Sequence, residues 1–332
     1  MKVVTGGLGT IGTPLVLKLL ESDSVCIVDN KSSCNPNNYE LLRNCNRYDH
    51  ELLIIEEDIC RLAEIDIEFD QLYNLACPAS PVNYKKDPLG ILRTCTDGMF
   101  NMIYICKRHG AKMLFTSTSE VYGNPTVNPQ YEEYCGNVNH LGVRGCYDEG
   151  KRCAETILVN SGINYSIARV FNTYSRYSAE NDGRVLPEFI RCAKANEPLR
   201  IHGTGNHTRS FTHVDDTIDA LFKLMDSDCK TPVNIGNHTR SFTHVDDTID
   251  ALFKLMDSDC KTPVNIGNPN TEISINELAK LVIGVTGSRS QIVHEPDDAD
   301  DPVWRRPYIK LAETLLKWSP KIDLHDGIKS LI

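Results

Sequence analysis

Tyr147 and Lys151 lie four residues apart in the run YDEGKR over 147–152. On a helix that spacing puts a phenol and an ammonium on one face, one turn apart. A cation beside a phenol lowers its pKa, so a tyrosinate held in this way can act as general base toward an alcohol being oxidised. A second run, TSTSEVYG over 116–123, follows an apolar strand-like stretch. There Thr118 can hydrogen-bond the reacting hydroxyl, and Ser119 and Glu120 can reach a sugar. A YxxxK spacing by itself is common on solvent-facing helices. Its weight comes from what precedes it in the chain.

The run TGGLGTIG over 5–12 places Gly6, Gly9 and Gly12 between an apolar strand and a helical pattern, with Thr10 and Ile11 inside the turn. Glycines permit the tight turn and the close backbone approach to a pyrophosphate, which a helix N-terminus attracts. Asp29 ends the next strand, followed by Asn30. A carboxylate there accepts hydrogen bonds from both ribose hydroxyls and repels a 2′-phosphate, which favours NAD over NADP. Asp58 and Ile59, after the third strand, are placed to border the adenine.

The elements that position these groups alternate. Apolar strands are expected at 2–5, 25–28, 52–55, 71–75, 112–116 and 165–170, and Ile11, Leu15, Val16, Leu19 and Leu20 recur at helical spacing. Continuous apolar strands alternating with helices predict an α/β, Rossmann-type doubly wound parallel sheet. After about Phe171 Gly, Asn and Pro become frequent, and a smaller substrate-binding lobe is expected over 171–332 beside an NAD-binding domain over 1–170 whose core also receives later segments. The 332 residues carry 35 Lys and Arg against 45 Asp and Glu, a net charge of −10, and no basic run interleaved with aromatics. Nucleic acid is therefore not an expected partner. The 13 cysteines form no CxxC pair or Cys/His cluster, which argues against a disulfide framework or a metal site. No stretch approaches the roughly 18 apolar residues of a membrane span, and Met1 runs straight into a strand, so a soluble cytoplasmic protein is expected.

With TGGxGxxG, STSEVYG and YxxxK in this order, the chain resembles the extended short-chain dehydrogenase/reductase superfamily, whose members mostly modify nucleotide sugars. More narrowly it is similar to the UDP-glucuronate decarboxylase branch, through LACPASPVNY (75–84), YDEGKR, ARVFNT (168–173), NDGRV (181–185) and PVNIGNP (263–269). The resemblance implies conversion of UDP-glucuronate to UDP-xylose. Tyr147 takes the C4 hydroxyl proton as hydride passes from C4 to NAD, while Lys151 and Thr118 orient and polarise the pair. The 4-keto group makes the carboxylate a β-keto acid, carbon dioxide leaves, and the hydride returns. Related 4,6-dehydratases usually carry Asp where this chain has Ser119, to expel a hydroxyl, so the serine favours decarboxylation. Glu120 matches the family glutamate near the departing carboxylate, Arg305 falls where the family has an arginine for proton delivery, and Leu75, Ala76 and Thr94 join the cofactor wall. Tyr84, Asn172, Arg184 and an arginine of the run TRSF match positions near the UDP-sugar. A homodimer packed through two helices per subunit is implied as well. The alternatives are a related 4,6-dehydratase or 4-epimerase, or a catalytically silent nucleotide-sugar-binding protein.

Residues 205–235 recur unchanged as 236–266. Structural repeats drift in sequence and recur three or more times, so two perfect copies read as a recent duplication carrying about one surplus helix and strand. In each copy Asp215 or Asp246 is placed to start a helix, and PVNI to form a strand. The TRSF arginine is present as both Arg209 and Arg240. The upstream strand over 199–202 favours Arg209, the downstream connection favours Arg240, and a hybrid fold would keep the first arginine with the second strand; the balance falls to Arg209. The chain also departs from the family pattern at Cys95, where Asn is usual, over 175–177, and at Tyr308 in place of Asp.

Overall fold

Short runs buried on both faces set the centre of the molecule, in a computed structural model that describes residues 1–45, 49–179, 183–209, 211–226, 228, 230–235, 273–296, 308 and 324–332. Along the chain come β1 (Lys2–Thr5), α1 (Gly12–Leu19), β2 (Val25–Val28), α2 (Pro36–Arg43), β3 (Leu52–Ile55), β4 (Gln71–Asn74), α3 (Pro81–Lys86), α4 (Pro88–His109), β5 (Lys112–Thr118), α5 (Gly145–Val159) and β6 (Tyr165–Val170). A single 3₁₀ turn, Ser119–Tyr122, follows β5. Then come β7 (Asn172–Tyr174), α6 (Val185–Ala195), β8 (Leu199–His202), β9 (Phe211–His213), α7 (Val214–Asp226), β10 (Pro232–Ile235), α8 (Ile275–Thr286), β11 (Ile292–Glu295) and α9 (Leu324–Lys329).

Seven strands form one sheet in the order β10-β6-β5-β4-β1-β2-β3, all parallel. The order reverses between β1 and β4, and in doubly wound sheets the ligand crevice opens at the strand C-terminal ends at such a reversal. Both faces are covered. One core joins Val4, Leu15, Val16 and Ile27 to Ile218, Leu221 and Leu224 of α7, and the other joins Val3, Leu72, Met113 and Ile167 to Met99 and Met102 of α4 and Ala154 and Leu158 of α5. A third core gathers Leu186 and Phe189 of α6, Leu199 and Ile201, Leu278 and Val282 of α8, and Ile328 of α9. Two small parallel pairs, β7 with β9 and β8 with β11, accompany it.

The first copy of the duplicated segment supplies β9, α7 and β10. Its PVNI strand is the sheet edge beside β6, with Val233 opposite Ala168 and Asn234 opposite Arg169. Asn234 Oδ1 accepts the Tyr122 hydroxyl at 2.6 Å, tying this copy to the TSTSEVYG run. The hybrid arrangement, with the edge strand drawn from the second copy, is thereby overturned. The second copy lies outside the described residues, as do Arg240, Asp246 and Arg305.

The start of α7 also differs from the sequence expectation. Asp215 sits in the first turn, where its charge suits the helix dipole, and the capping acceptor is His213, whose Nδ1 receives the Asp215 N–H at 3.3 Å. Burial, reinforced by Arg176, drives the His213 pKa down to about 4, so a neutral ring nitrogen is available to accept.

Candidate active site

The turn after β1 closes on itself through the Gly9 N–H to the Gly6 carbonyl, 3.1 Å. A Cβ on Gly12 would stand 2.1 Å from that same carbonyl oxygen, so only glycine lets α1 begin this close to the turn. Gly6 has φ +68° and lies against the Ala76 backbone. Thr5 Oγ1 donates to Asn74 Oδ1 at 2.8 Å and accepts the Ala76 N–H at 3.3 Å, which locks the ends of β1 and β4 together at the crevice. At the end of β2 the Asp29 carboxylate accepts the Leu8 N–H at 3.0 Å and the Lys31 N–H at 2.8 Å. Burial raises its pKa, and these two amides oppose that shift. Asn30 Nδ2 donates to Asp58 Oδ2 at 3.0 Å. Burial acts to raise the Asp58 pKa, but the Cys60 N–H and Asn30 outweigh it, so the carboxyl stays below its ordinary value. Ile59 is buried against Gly98 of α4.

A cavity of about 730 Å³ runs from this turn across the C-terminal ends of β4 and β5. Its wall includes Gly6, Gly9, Thr10, Ile11, Gly12, Asp29, Asn30, Asp58, Ile59, Leu75, Ala76 and Thr94, and further along Thr118, Ser119, Glu120, Tyr147 and Lys151. Tyr84, Asn172, Arg184 and Arg209 line the same cavity. A glycine cradle that a Cβ would fill, and a carboxylate at the end of β2, fit a dinucleotide: the α1 N-terminus would hold its pyrophosphate and Asp29 its ribose hydroxyls.

Tyr147 and Lys151 share the inward face of α5, and both are buried. The Tyr147 ring stacks on Tyr84, centroids 4.7 Å apart with 17° between the planes, and the Tyr84 hydroxyl is itself held by the Ala79 carbonyl at 2.9 Å. Lys151 Nζ donates to the Thr116 carbonyl at 2.8 Å and stands 5.9 Å from the Tyr147 ring centre. Here the electrostatics depart from the sequence expectation of a phenol lowered by its cation. Burial, then Cys77, pushes the Tyr147 phenol well above its ordinary pKa, and the hydrogen bond with Thr118 opposes them. The resting group is a neutral phenol against Thr118.

One residue of the site escaped the sequence reading. Arg144, at the N-cap of α5 and three residues before Tyr147, is ion-paired to Glu120 and lines the cavity. Both side chains are largely buried. The signal was its spacing of three from Tyr147, which puts it on the same helix face. On the opposite wall, Arg184 donates to Thr10 Oγ1 of the glycine turn at 3.2 Å, and Arg209 to the Thr208 carbonyl at 3.0 Å. Among the described residues Asn172 Nδ2 is buried with no hydrogen-bond partner, a donor suited to an oxygen-rich ligand. Among the described residues no cluster of His, Cys, Asp and Glu could hold a metal, and no helix is long and apolar enough to cross a membrane.

A seven-stranded parallel sheet with a glycine turn at its reversal and a Tyr/Lys pair beside it defines a Rossmann-type dinucleotide enzyme of the short-chain dehydrogenase/reductase kind. Within that class the chain belongs to the NAD dependent epimerase/dehydratase family, which it matches over residues 2–236. It is 39% identical over 335 aligned residues to UDP-glucuronic acid decarboxylase 1 of Arabidopsis thaliana, covering 99% of this chain and 68% of that protein. To UDP-glucuronic acid decarboxylase 1 of Danio rerio it is 38% identical, covering 99% and 71%. The crystal structure of UDP-glucuronic acid 4-epimerase from Bacillus cereus, in complex with UDP-glucuronic acid and NAD, shares the fold with a TM-score of 0.76 at 22% identity, over 99% of this chain and 97% of that one.

Proposed function

We propose that this chain is an NAD-dependent decarboxylase that converts UDP-glucuronate to UDP-xylose. The observation that carries the reading is one cavity with the glycine turn and Asp29 at one end and Thr118, Tyr147, Lys151 and the Glu120–Arg144 pair at the other. The decarboxylases of Arabidopsis thaliana and Danio rerio support the substrate. Ser119, in place of the aspartate usual in 4,6-dehydratases, supports carboxylate loss over hydroxyl loss.

The glycine turn, Asp29, Asn30, Asp58 and the Leu75–Ala76 wall would hold NAD, which would supply reversible hydride chemistry beside C4. Tyr147 acts as the phenolate: its resting proton first passes to solvent, and it then receives the proton of the C4 hydroxyl, with Thr118 sharing the hydrogen bond and Lys151 holding positive charge beside the phenolate. Once C4 is a ketone the C5–C6 bond breaks, its electron pair enters the enolate, and carbon dioxide departs. The Glu120–Arg144 pair is built to receive the substrate carboxylate and then its neutral product. A proton returns to C5, and Tyr147 gives its proton back to O4. Asn172, Arg184 and Arg209 take the UDP half, in a lobe built mainly from 171–332, and Tyr84 meets the substrate beside Tyr147. Arg305 keeps its proposed role in proton delivery, outside the described residues.

The protein acts as a homodimer in this reading, and Phe100 and Tyr104, exposed one turn apart on α4, support a helix-to-helix interface. The described cysteines are free thiols, which suits the cytoplasm. Incubation of the purified chain with UDP-glucuronate and NAD, followed by mass spectrometry, is expected to give UDP-xylose. A product of unchanged mass would move the reading to a 4-epimerase, and no turnover by a folded, NAD-binding chain would leave a silent binding protein.

A further inference from the structure

Cys77 and Cys95 have no part in the proposed chemistry, yet they meet directly behind it. Cys77 follows Ala76 after β4, lines the cavity and packs against the Tyr84–Tyr147 stack. Cys95 is buried in α4. Their sulfurs stand 3.8 Å apart, although 18 residues and the whole of α3 separate them in the chain. The thiol of Cys95 has room because α5 passes it at Gly150, where an added Cβ would lie 3.2 Å from the sulfur. We infer that Cys77 and Cys95 are a thiol pair open to oxidation by hydroperoxides, and that it closes to an intrachain disulfide that shuts down the adjoining site.

The step balances with the peroxide as oxidant. The Cys77 sulfur attacks one peroxide oxygen, the O–O bond breaks, and a sulfenic acid and one water result. The Cys95 sulfur then attacks that sulfenic sulfur, the S–S bond forms, and a second water leaves with the thiol proton. Two thiols are oxidised and one hydroperoxide is reduced; with an alkyl hydroperoxide the first product is the alcohol. Disulfide sulfurs lie about 2.0 Å apart, so closure from 3.8 Å asks for a small side-chain movement.

The environment assigns the order of events. The hydrogen bond from Cys95, aided by the Lys151 cation and opposed by burial, holds the Cys77 thiol down to about 7. The same contact, with burial, pushes Cys95 up. Cys77 is thus the attacking sulfur and Cys95 the resolving one. Burial alone pushes Cys26 and Cys106 up to about 12, so they are poor competitors. Drawing the Cys77 sulfur toward α4 moves the residue on which Tyr84 and Tyr147 rest, and that is how oxidation reaches the chemistry.

The test treats the reduced full-length chain with hydrogen peroxide at neutral pH, blocks remaining thiols with iodoacetamide and maps peptides by mass spectrometry. A linked Cys77–Cys95 peptide is expected, together with at least a ten-fold fall in activity, and dithiothreitol restores both. Cys95→Ala keeps its basal activity and forms no linked peptide. Oxidation of exposed Cys135 while Cys77 and Cys95 remain alkylatable would overturn the inference, and so would a linked peptide with undiminished activity. The linked peptide is read by mass, so its absence is separate from any failure of the decarboxylase reading, on which only the activity readout rests.

Discussion

The two walls of the cavity are built differently. The sheet-side wall is pinned by bonds between neighbouring elements: Thr5 to Asn74 and Ala76, Lys151 to Thr116, and Asp29 to the Leu8 and Lys31 amides. On the lobe-side wall, Arg184 reaches Thr10 Oγ1 of the glycine turn, and the buried Asn172 Nδ2 has no hydrogen-bond partner among the described residues. The contrast teaches that geometry for proton transfer is fixed in advance by the sheet, whereas on the other wall the Asn172 donor is left for a ligand to complete. Preorganised donors are worth most where charge develops in the transition state.

If the sheet-side wall carries the chemistry, its removal costs the most. Tyr147→Phe keeps the ring stacked on Tyr84 and deletes only the hydroxyl. It is expected to lower kcat by about 10³-fold, within the usual range for general acid–base groups, with little change in the urea midpoint. A fall of less than ten-fold would break the contrast. Next comes the pair whose arginine the sequence reading did not include. Arg144→Met and Glu120→Gln are each expected to cost about 10²-fold in kcat, comparable to loss of one positioned electrostatic donor. Because the two act as a unit, the double variant should be little worse than either single one. Additive losses in kcat would show that the contact between them does not matter.

How far these two walls were legible follows from the range of the forces that build them. The six strands from β1 to β6 lie near the expected boundaries; all but the half-exposed edge strand β3 are buried on both faces, and such a strand needs nothing beyond its own residues to be recognised. Gly6, Gly9, Gly12 and Asp29 were legible for the same reason, since turn and strand end are set within a few residues. Strands β7 and β9 were not, being three residues each and defined only by pairing with one another across the chain. The His213 cap was hidden behind the more usual Asp215, because only tertiary burial takes the imidazole pKa down to about 4. Arg144 was obscured by the ordinariness of an arginine at a helix start. The departure of Cys95 from its family was visible, but its meeting with Cys77 requires the packing of α4 against the segment after β4.

Smaller effects sharpen the same contrast. Asp29→Asn removes charge from the expected ribose contacts, and hydrogen bonds to charged groups contribute about 1.5–3 kcal/mol. Calorimetric titration should therefore show NAD binding weakened roughly 10- to 100-fold, while kcat at saturating NAD stays near the parent value. Least of all for catalysis, and informative for the lobe, is His213. Its folded pKa of about 4 lies below the ordinary 6.5, so the unfolded chain binds more protons between those values. This contribution to stability is full above about pH 6.5, declines as the pH falls toward about 4, and is flat below. The difference in urea midpoint between the parent and His213→Gln should shrink across that window. A constant difference would mean that the cap does not depend on a neutral ring.

The most direct measurement follows UDP-glucuronate carrying deuterium at C4 through one incubation with the full-length chain and NAD. The account predicts UDP-xylose with the deuterium still at C4 and an equal amount of carbon dioxide. UDP-xylose whose C4 hydrogen comes from solvent, or a product epimeric at C4 with its carboxylate intact, would contradict it.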